Sequence, residues 1–167
     1  PPMQVTRSHT FDTPLDDVWA MFCDREAHVA KFTKMGHRDI EVLRYDCDGE
    51  LLRIDIRRVV EIEVPGFARK VIKPTNTVTT IDQWSRVGDA SCSGRYTVET
   101  GTPVSVSGTT LLRALDERTT AYDVTVDIQV NVPLIGNKIA NFAKGDVDRQ
   151  LAAEFSCADE WLAGNRS

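Results

Sequence analysis

The stretch VNVPLIGNKIANF, residues 130–142, separates two different hydrophobic patterns and decides the fold. Before it, the run AYDVTVDIQVNV (121–132) alternates apolar and polar residues, as a strand with one wet face does. After it, apolar residues recur at helical spacing as far as Leu162. Pro133 marks the change, because proline cannot donate to a strand ladder and is well placed at a helix start. The pattern predicts a strand that ends at Pro133 and a helix from about Leu134 to Leu162.

The rest of the chain predicts mostly strands, with two short helices near the N-terminus. Residues 4–11 are typical of an opening strand, and DTPLDDVWAMFCD (12–24) carries the capping and proline signals of a helix start. A second short helix is expected over residues 25–35. About six strand segments are expected between residues 37 and 132. The long helix has to lay its apolar face on the inner face of these strands.

One segment shows both the alternation and a basic pair. In LLRIDIRR (51–58), Leu52, Ile54 and Ile56 point to one side of a strand and the charged residues between them to the other. The adjacent arginines Arg57 and Arg58 form a short basic cluster, which we interpret as solvated surface.

Composition and charge are those of a single globular domain over residues 1–167. Apolar and charged residues make up 41% and 27% of the chain, and the net charge of -5 argues against nucleic acid as a partner. No run approaches the ~20 apolar residues of a membrane span. The four cysteines have no CxxC spacing and predict unpaired thiols in a reducing compartment. We therefore expect a cytoplasmic protein, or one whose signal was removed; the oligomeric state is not indicated.

The order of elements resembles that of the START-like superfamily, also called SRPBCC or helix-grip proteins. A closer resemblance, to a bacterial branch of unknown function, is carried by SVSGTTLLRALDE (105–117), VDIQVNVPLIGNKIANF (126–142) and AAEFSCADEWL (152–162), with TTIDQW (79–84). The resemblance implies an α+β fold in which a curved antiparallel sheet of about six to seven strands wraps a long C-terminal helix. Two short helices follow the first strand. It also implies a cavity between sheet and helix, which relatives use for apolar molecules.

Seven residues are the candidate ligand-binding residues of such a cavity. They are mostly aromatic, and they fall on the strands, the second helix and the start of the long helix: Phe32, Asp82, Trp84, Tyr96, Tyr122, Ile139 and Phe142. The aromatic residues either line a cavity or simply fill the core. Asp82 shares a strand face with Trp84, but we favour solvent exposure or structural pairing for it, with Thr79, Ile81 and Gln83 as the alternative inner set. The segment 65–74 is either a surface crossover or a mobile lid at the mouth of the cavity, with Phe67 inserting.

Three functions remain open at this point. The leading hypothesis is a non-enzymatic protein that binds or carries a small hydrophobic or amphipathic ligand, with no cofactor and no metal. The alternatives are an enzyme of the polyketide cyclase or hydratase kind and a protein-interaction module of the co-chaperone type. No catalytic residue is assigned, because the histidines His9, His28 and His37 have no recognised spacing and are expected to be surface or hydrogen-bonded residues.

Overall fold

The computed structural model describes residues 3–164, which form seven strands, three α-helices and one 3₁₀ turn. The helices are α1 (Leu15–Cys23), α2 (Arg25–Lys34) and α3 (Gly136–Gly164), and the 3₁₀ turn covers Gly66–Ala68. The strands β1 to β7 are Met3–Phe11, Arg38–Cys47, Leu51–Glu61, Thr75–Val87, Ser91–Glu99, Val104–Ala114 and Thr120–Val130. The predicted α+β order of elements is confirmed.

All seven strands form one antiparallel sheet in the order β1-β7-β6-β5-β4-β3-β2. The first strand pairs with the last, so β1 and β2 lie at opposite edges although only α1 and α2 separate them in sequence. These two helices therefore cross from one edge to the other, and both contact α3. The long helix also packs against β7 and β1. This is the curved sheet around a C-terminal helix that the helix-grip resemblance implied.

The junction between β7 and α3 differs in detail from the prediction. The strand ends at Val130 and the helix begins at Gly136, rather than at Leu134. Leu134 is fully exposed with a positive φ of 71°, and the amide of Ile135 donates to the carbonyl of Pro133 at 2.8 Å. A bulky residue in this left-handed region is strained. The left-handed backbone conformation in this turn is therefore adopted by Leu134 and not by Gly136.

Two groups of buried apolar side chains fill the space between the sheet and the helices. The first joins α1 and α2 to the central strands and includes Phe11, Trp19, Phe32, Trp84 and Leu162. The second joins α3 to β1, β6 and β7 and includes Val5, Ala68, Val126, Ile139 and Leu151. Tyr122, which is partly buried, packs against both groups.

The segment 65–74 is packed against the second group. Ala68 and Ile72 are buried there, whereas Phe67 is 44% exposed. The Phe67 ring centroid lies 5.9 Å from the Lys138 ammonium. Phe67 therefore does not insert into the interior. The segment contributes to the core through Ala68 and Ile72.

The outer face of β7 is polar, as its alternation predicts. Asp123 accepts hydrogen bonds from Ser8 at 2.7 Å and from Arg113 at 3.0 Å. Asp127 accepts one from Gln4 at 2.9 Å. These contacts occupy a part of the outer face where a protein-interaction module would need an apolar patch.

The sequence also predicts unpaired cysteines and contains no run of the length needed for a membrane span. The four cysteines are free thiols, and Cys92 is the buried one. No helix within residues 3–164 combines the length and the hydropathy needed to cross a membrane. Neither finding identifies a compartment, so the cytoplasm stays an expectation.

Candidate functional site

A cavity of about 230 Å³ lies between the concave face of the sheet and α3. Its wall is formed by side chains from all three helices and from strands β3 to β7. Valines that alternate onto the concave face supply much of the apolar lining: Val60, Val78, Val98, Val104, Val106, Val124 and Val126. Both groups of core side chains contribute to the wall, so the cavity lies between them.

Six of the seven candidate residues meet in this wall: Phe32, Asp82, Trp84, Tyr96, Tyr122 and Phe142. The exception is Ile139, which is fully buried among side chains of the second group and does not line the cavity. It lies one turn before Ala143 at the start of α3, where the side chains of the second group surround it. Ligand contact by the six stays a prediction.

Two glycines make room for aromatic rings on the concave face. Tyr96 and Gly108 lie opposite each other on β5 and β6. A Cβ atom at Gly108 would overlap the Thr125 carbonyl oxygen and lie 2.5 Å from the Tyr96 hydroxyl, which donates to that carbonyl at 3.0 Å. One row further, a Cβ atom at Gly94 would lie 2.8 Å from the Trp84 ring. The rings therefore lie where side chains on the neighbouring strands are missing.

Tyr122 lies at the centre of an aromatic cluster. Its ring centroid is 5.3 to 6.2 Å from those of Phe11, Phe22, Trp84 and Phe155. Burial raises the pKa of the phenol well above its ordinary value, so the hydroxyl stays protonated at neutral pH. It makes no hydrogen bond within residues 3–164. The ring packs in the core while the hydroxyl is available as a neutral polar group.

Asp82 faces the cavity, so the expectation of solvent exposure or structural pairing is wrong. It lines the wall together with Thr80 and Trp84, and all three belong to the inner face of β4, which also carries Asn76 and Val78. Within the described chain the carboxylate has no hydrogen bond and no ion pair. Burial raises the pKa of Asp82 to about 6, while the Lys31 ammonium acts in the opposite direction. The site thus contains an acid that titrates near neutral pH.

Arg58 is a buried cation that the sequence analysis assigned to the surface. Arg58 is 7% exposed and lies on the concave face between Ile56 and Val60. Burial lowers the pKa of Arg58 to about 10, so the guanidinium stays charged at neutral pH. It stacks on Phe32, with 3.9 Å between the guanidinium carbon and the ring centroid. The solvated-surface interpretation holds for Arg57 alone, and the alternation of inner positions was the signal that identifies Arg58.

Lys31 and Glu154 form an ion pair between α2 and α3. The ammonium lies 3.0 Å from the carboxylate, and the side chains are 20% and 31% exposed. A second pocket of about 320 Å³ between these helices shares five residues with the cavity wall: Phe22, His28, Lys31, Tyr122 and Glu154. The ion pair therefore lies where the pocket and the cavity adjoin. Sequence reasoning missed both residues, because no local pattern reveals which charges face each other between two helices.

The histidines are hydrogen-bonded, which confirms one of the expected roles. His28 lines the cavity, and its Nε2 lies 2.7 Å from the Phe22 carbonyl. Burial lowers the pKa of His28 to about 4, so its ring is neutral and donates from Nε2. His9 pairs with Asp159 at 2.9 Å, and His37 accepts from Arg58 at 3.1 Å. Among residues 3–164, no three His, Cys, Asp or Glu side chains are grouped to hold a metal ion.

The chain is similar to solved structures that share this fold. The Zhui aromatase/cyclase from Streptomyces sp. R1128 is 18% identical with a TM-score of 0.68, over 98% of this chain and 94% of that one. A START superfamily protein from Mycobacterium smegmatis is 13% identical with a TM-score of 0.60, over 98% and 99%. Norcoclaurine synthase from Thalictrum flavum, in complex with dopamine and hydroxybenzaldehyde, is 13% identical with a TM-score of 0.58, over 100% and 90%. At these identities the likeness shows the fold alone.

Sequence comparison narrows the relationship further. A search of curated proteins gives no significant match. A family described as "Protein of unknown function (DUF2505)" matches residues 6–162. The matched region includes every segment that carries the resemblance to a bacterial branch of unknown function. The chain therefore belongs to the DUF2505 family, and it has the helix-grip fold of START-like proteins.

Proposed function

We propose that this protein binds a small amphipathic molecule in the cavity between the sheet and α3. The observation that carries the proposal is a largely apolar cavity of about 230 Å³ with polar groups left without partners in its wall. At ~30 Å³ per water, this volume corresponds to about eight water molecules. It therefore suits a short aliphatic chain or a single aromatic ring.

The apolar wall supplies the affinity. Removing apolar ligand surface from water contributes about 2.5 kcal/mol for each 100 Å² buried. The valines of the concave face, with Phe142 and Leu151 of α3, provide the surface against which it would be buried. The cavity is already formed in the structure. A ligand would therefore add contacts without requiring the core to rearrange.

The unpartnered polar groups orient the ligand. Thr110 lines the cavity at 6% exposure, and its hydroxyl oxygen has no hydrogen-bond partner within residues 3–164. The Asp82 carboxylate and the Tyr122 hydroxyl are likewise without hydrogen bonds in the described chain. Of these groups, the Thr110 hydroxyl is also fully shielded, and a buried polar group without a partner costs about 1–3 kcal/mol. A ligand with matching donors and acceptors recovers part of that cost, which favours an amphipathic molecule over a purely apolar one.

The structural relatives support the ligand class without fixing it. The norcoclaurine synthase structure contains dopamine and hydroxybenzaldehyde, two small aromatic molecules with polar substituents. That chain has the same fold at 13% identity, so its ligands indicate a size range to test. They do not indicate the same chemistry here.

Uptake of a fluorescent apolar probe by the purified protein tests the proposal. We expect saturable binding of one probe per chain, with native mass spectrometry used to detect any molecule that co-purifies. The variant Ala143→Phe should weaken binding at least about tenfold, because Ala143 lines the cavity on α3. Ala152→Phe is the matched control, since Ala152 is exposed on the same helix.

Two results would contradict the proposal. One is the absence of saturable uptake by the wild-type protein. The other is unchanged uptake by the Ala143→Phe variant, provided that its thermal unfolding shows a folded protein. Unchanged uptake would place the probe outside the cavity, for example in the pocket between α2 and α3.

Acid–base catalysis is a second candidate, favoured by the pKa of Asp82. A carboxyl group with a pKa of about 6 inside an apolar cavity can both give and take a proton near neutral pH. The cavity also holds the neutral His28 ring. The test is turnover of small enolisable ketones: Asp82→Asn should abolish turnover while probe binding persists. Equal turnover by the variant and the wild type would remove this candidate.

A further inference from the structure

We propose that Arg58 anchors an anion subsite, and that the molecule held in the cavity is a monocarboxylate with a short apolar body. This inference rests on the proposed function and adds the class of ligand. It depends on how the guanidinium is held and on which of its hydrogens remain unused.

The position of the Arg58 guanidinium is fixed by its neighbours. Nε donates to Nδ1 of His37 at 3.1 Å, and Nη1 donates to the Thr80 hydroxyl at 2.7 Å and more weakly to the Ile56 carbonyl at 3.4 Å. The Phe32 ring lies beneath it at 3.9 Å. These contacts come from three elements, β3, β4 and α2, with the segment that joins α2 to β2. The side chain is therefore preorganised rather than free to move.

The opposite side of the guanidinium lacks partners. An arginine carries five N–H donors, and the two on Nη2 meet no acceptor within residues 3–164. No carboxylate of the described chain lies within ion-pair distance of Arg58. A buried cation without a counter-ion is unfavourable. Because Arg58 lines the cavity, an anion bound there would meet this unpaired charge.

The surrounding charges favour a single negative charge on the ligand. Lys31 is already neutralised by Glu154, and both Glu154 and Asp82 act electrostatically on Arg58. Bringing a doubly charged phosphate beside two carboxylates would create repulsion that one free guanidinium edge does not balance. A carboxylate adds one charge and two acceptor oxygens, and it fits the small volume of the cavity.

Binding of such a ligand should be linked to protonation of Asp82. The groups acting on Asp82 are Lys31 from α2, Glu154 from α3, and Arg58 and Asp55 from β3. The phenols of Tyr96 and Tyr122 remain protonated. An added carboxylate opposes ionisation of Asp82, so the complex takes up a proton. The protonated acid then donates a hydrogen bond to the bound anion, which makes the affinity rise as the pH falls from 8 to 6.

Calorimetry with three ligands of equal chain length provides the test. Octanoate, 1-octanol and octylamine share an apolar body and differ in the charge of the head group. We expect octanoate to bind the wild-type protein about ten- to a hundredfold more tightly than 1-octanol. Arg58→Gln should remove this preference. Arg57→Gln is the matched control, because Arg57 lies on the outer face and pairs with Glu41 at 2.7 Å.

The outcomes separate this inference from the proposed function. Equal binding of octanoate and 1-octanol, or a preference for octylamine, overturns the anion subsite and leaves cavity binding intact. If none of the three binds and the apolar probe is not taken up either, the proposed function fails with it. Should Arg58→Gln not fold, the wild-type pH series decides. Octanoate affinity that does not rise between pH 8 and pH 6, or that rises in parallel with that of 1-octanol, overturns the inference.

Discussion

Replacing Asp82 with asparagine should stabilise the protein at neutral pH, an unusual outcome for a substitution of a buried residue. Burial raises the pKa of the folded carboxyl to about 6, from an ordinary value of 3.8. Above pH 6 the folded protein holds an ionised carboxylate in its interior, whereas the unfolded chain ionises it in water. The difference between the two pKa values corresponds to about 3 kcal/mol of unfolding free energy. Asparagine keeps the shape and removes the charge.

The sign of the effect depends on pH. Between pH 3.8 and 6 the folded state binds more protons at Asp82 than the unfolded state does, so this residue makes stability fall as the pH rises. The penalty is complete above pH 6 and absent below about pH 4. Asp82→Asn should therefore exceed the wild type by up to about 3 kcal/mol at pH 7 to 8, and the gap should close by pH 4.

Urea unfolding at five pH values from 4 to 8 measures this gap. The control is Asp89→Asn, since Asp89 lies in an exposed turn and should follow the wild type throughout. His28 and His37, whose pKa values burial lowers to about 4, titrate in both proteins, so the difference between variant and wild type isolates Asp82. Equal stabilities at pH 8, or a gap that does not change with pH, would refute the reasoning.

Three further predictions concern stability. Gly108→Ala should lower the unfolding free energy by about 3 kcal/mol, because the new methyl group displaces Tyr96 and parts two strands. By comparison, Gly145→Ala should raise it by up to about 1 kcal/mol, because alanine is more favourable than glycine inside a helix such as α3. His28 should make stability fall as the pH drops from 6.5 towards 4, since the unfolded ring protonates first; His28→Gln should flatten that part of the profile. Leu134→Gly should raise the unfolding free energy by about 1 kcal/mol by relieving the positive φ.

Thermal and urea unfolding check all three. A Gly108→Ala variant as stable as the wild type would show that Tyr96 can move aside at no cost. If the stability of His28→Gln fell between pH 6.5 and pH 4 as steeply as that of the wild type, another group would control the pH dependence there. A loss of stability in Leu134→Gly would indicate that the extra freedom of glycine in the unfolded chain outweighs the strain.

Alternation and helical spacing were sufficient to predict the order of strands and helices, whereas the curved antiparallel sheet around the long helix was implied by the resemblance to START-like proteins. The strand before Pro133 and the helix after it were both expected. The strand order, in which β1 pairs with β7, was seen only in the structure. The errors lie at the junction, where the helix starts at Gly136 instead of Leu134. Helical spacing of apolar residues does not report backbone dihedrals, so a leucine with φ of 71° was invisible to it. Only the geometry of the turn revealed that residue's role.

The polar part of the site was much less predictable. Aromatic residues on alternating strand positions pointed to Trp84, Tyr96 and Tyr122, all of which line the cavity. Charged residues carry a strong expectation of solvent exposure, and that expectation outweighed the alternation at Asp82 and Arg58. In both cases the period of two was right and the general rule for charges was wrong. Residues paired between helices could not be found this way, because their contact exists only in the tertiary structure.

The unpaired buried charges of Arg58 and Asp82 also bear on the question of function. Stability alone would be better served by apolar side chains at the inner positions that Arg58 and Asp82 occupy, since replacing buried charges with apolar groups is often neutral or stabilising. The two residues lie more than an ion-pair distance apart in the described chain, so they do not neutralise each other directly. Each instead faces the same cavity with unused hydrogen-bonding capacity. A loss of stability at such inner positions is what a protein tolerates where the residues have another role. If Asp82→Asn is more stable and also loses the pH dependence of octanoate binding, stability and binding will have been shown to compete at the same residue.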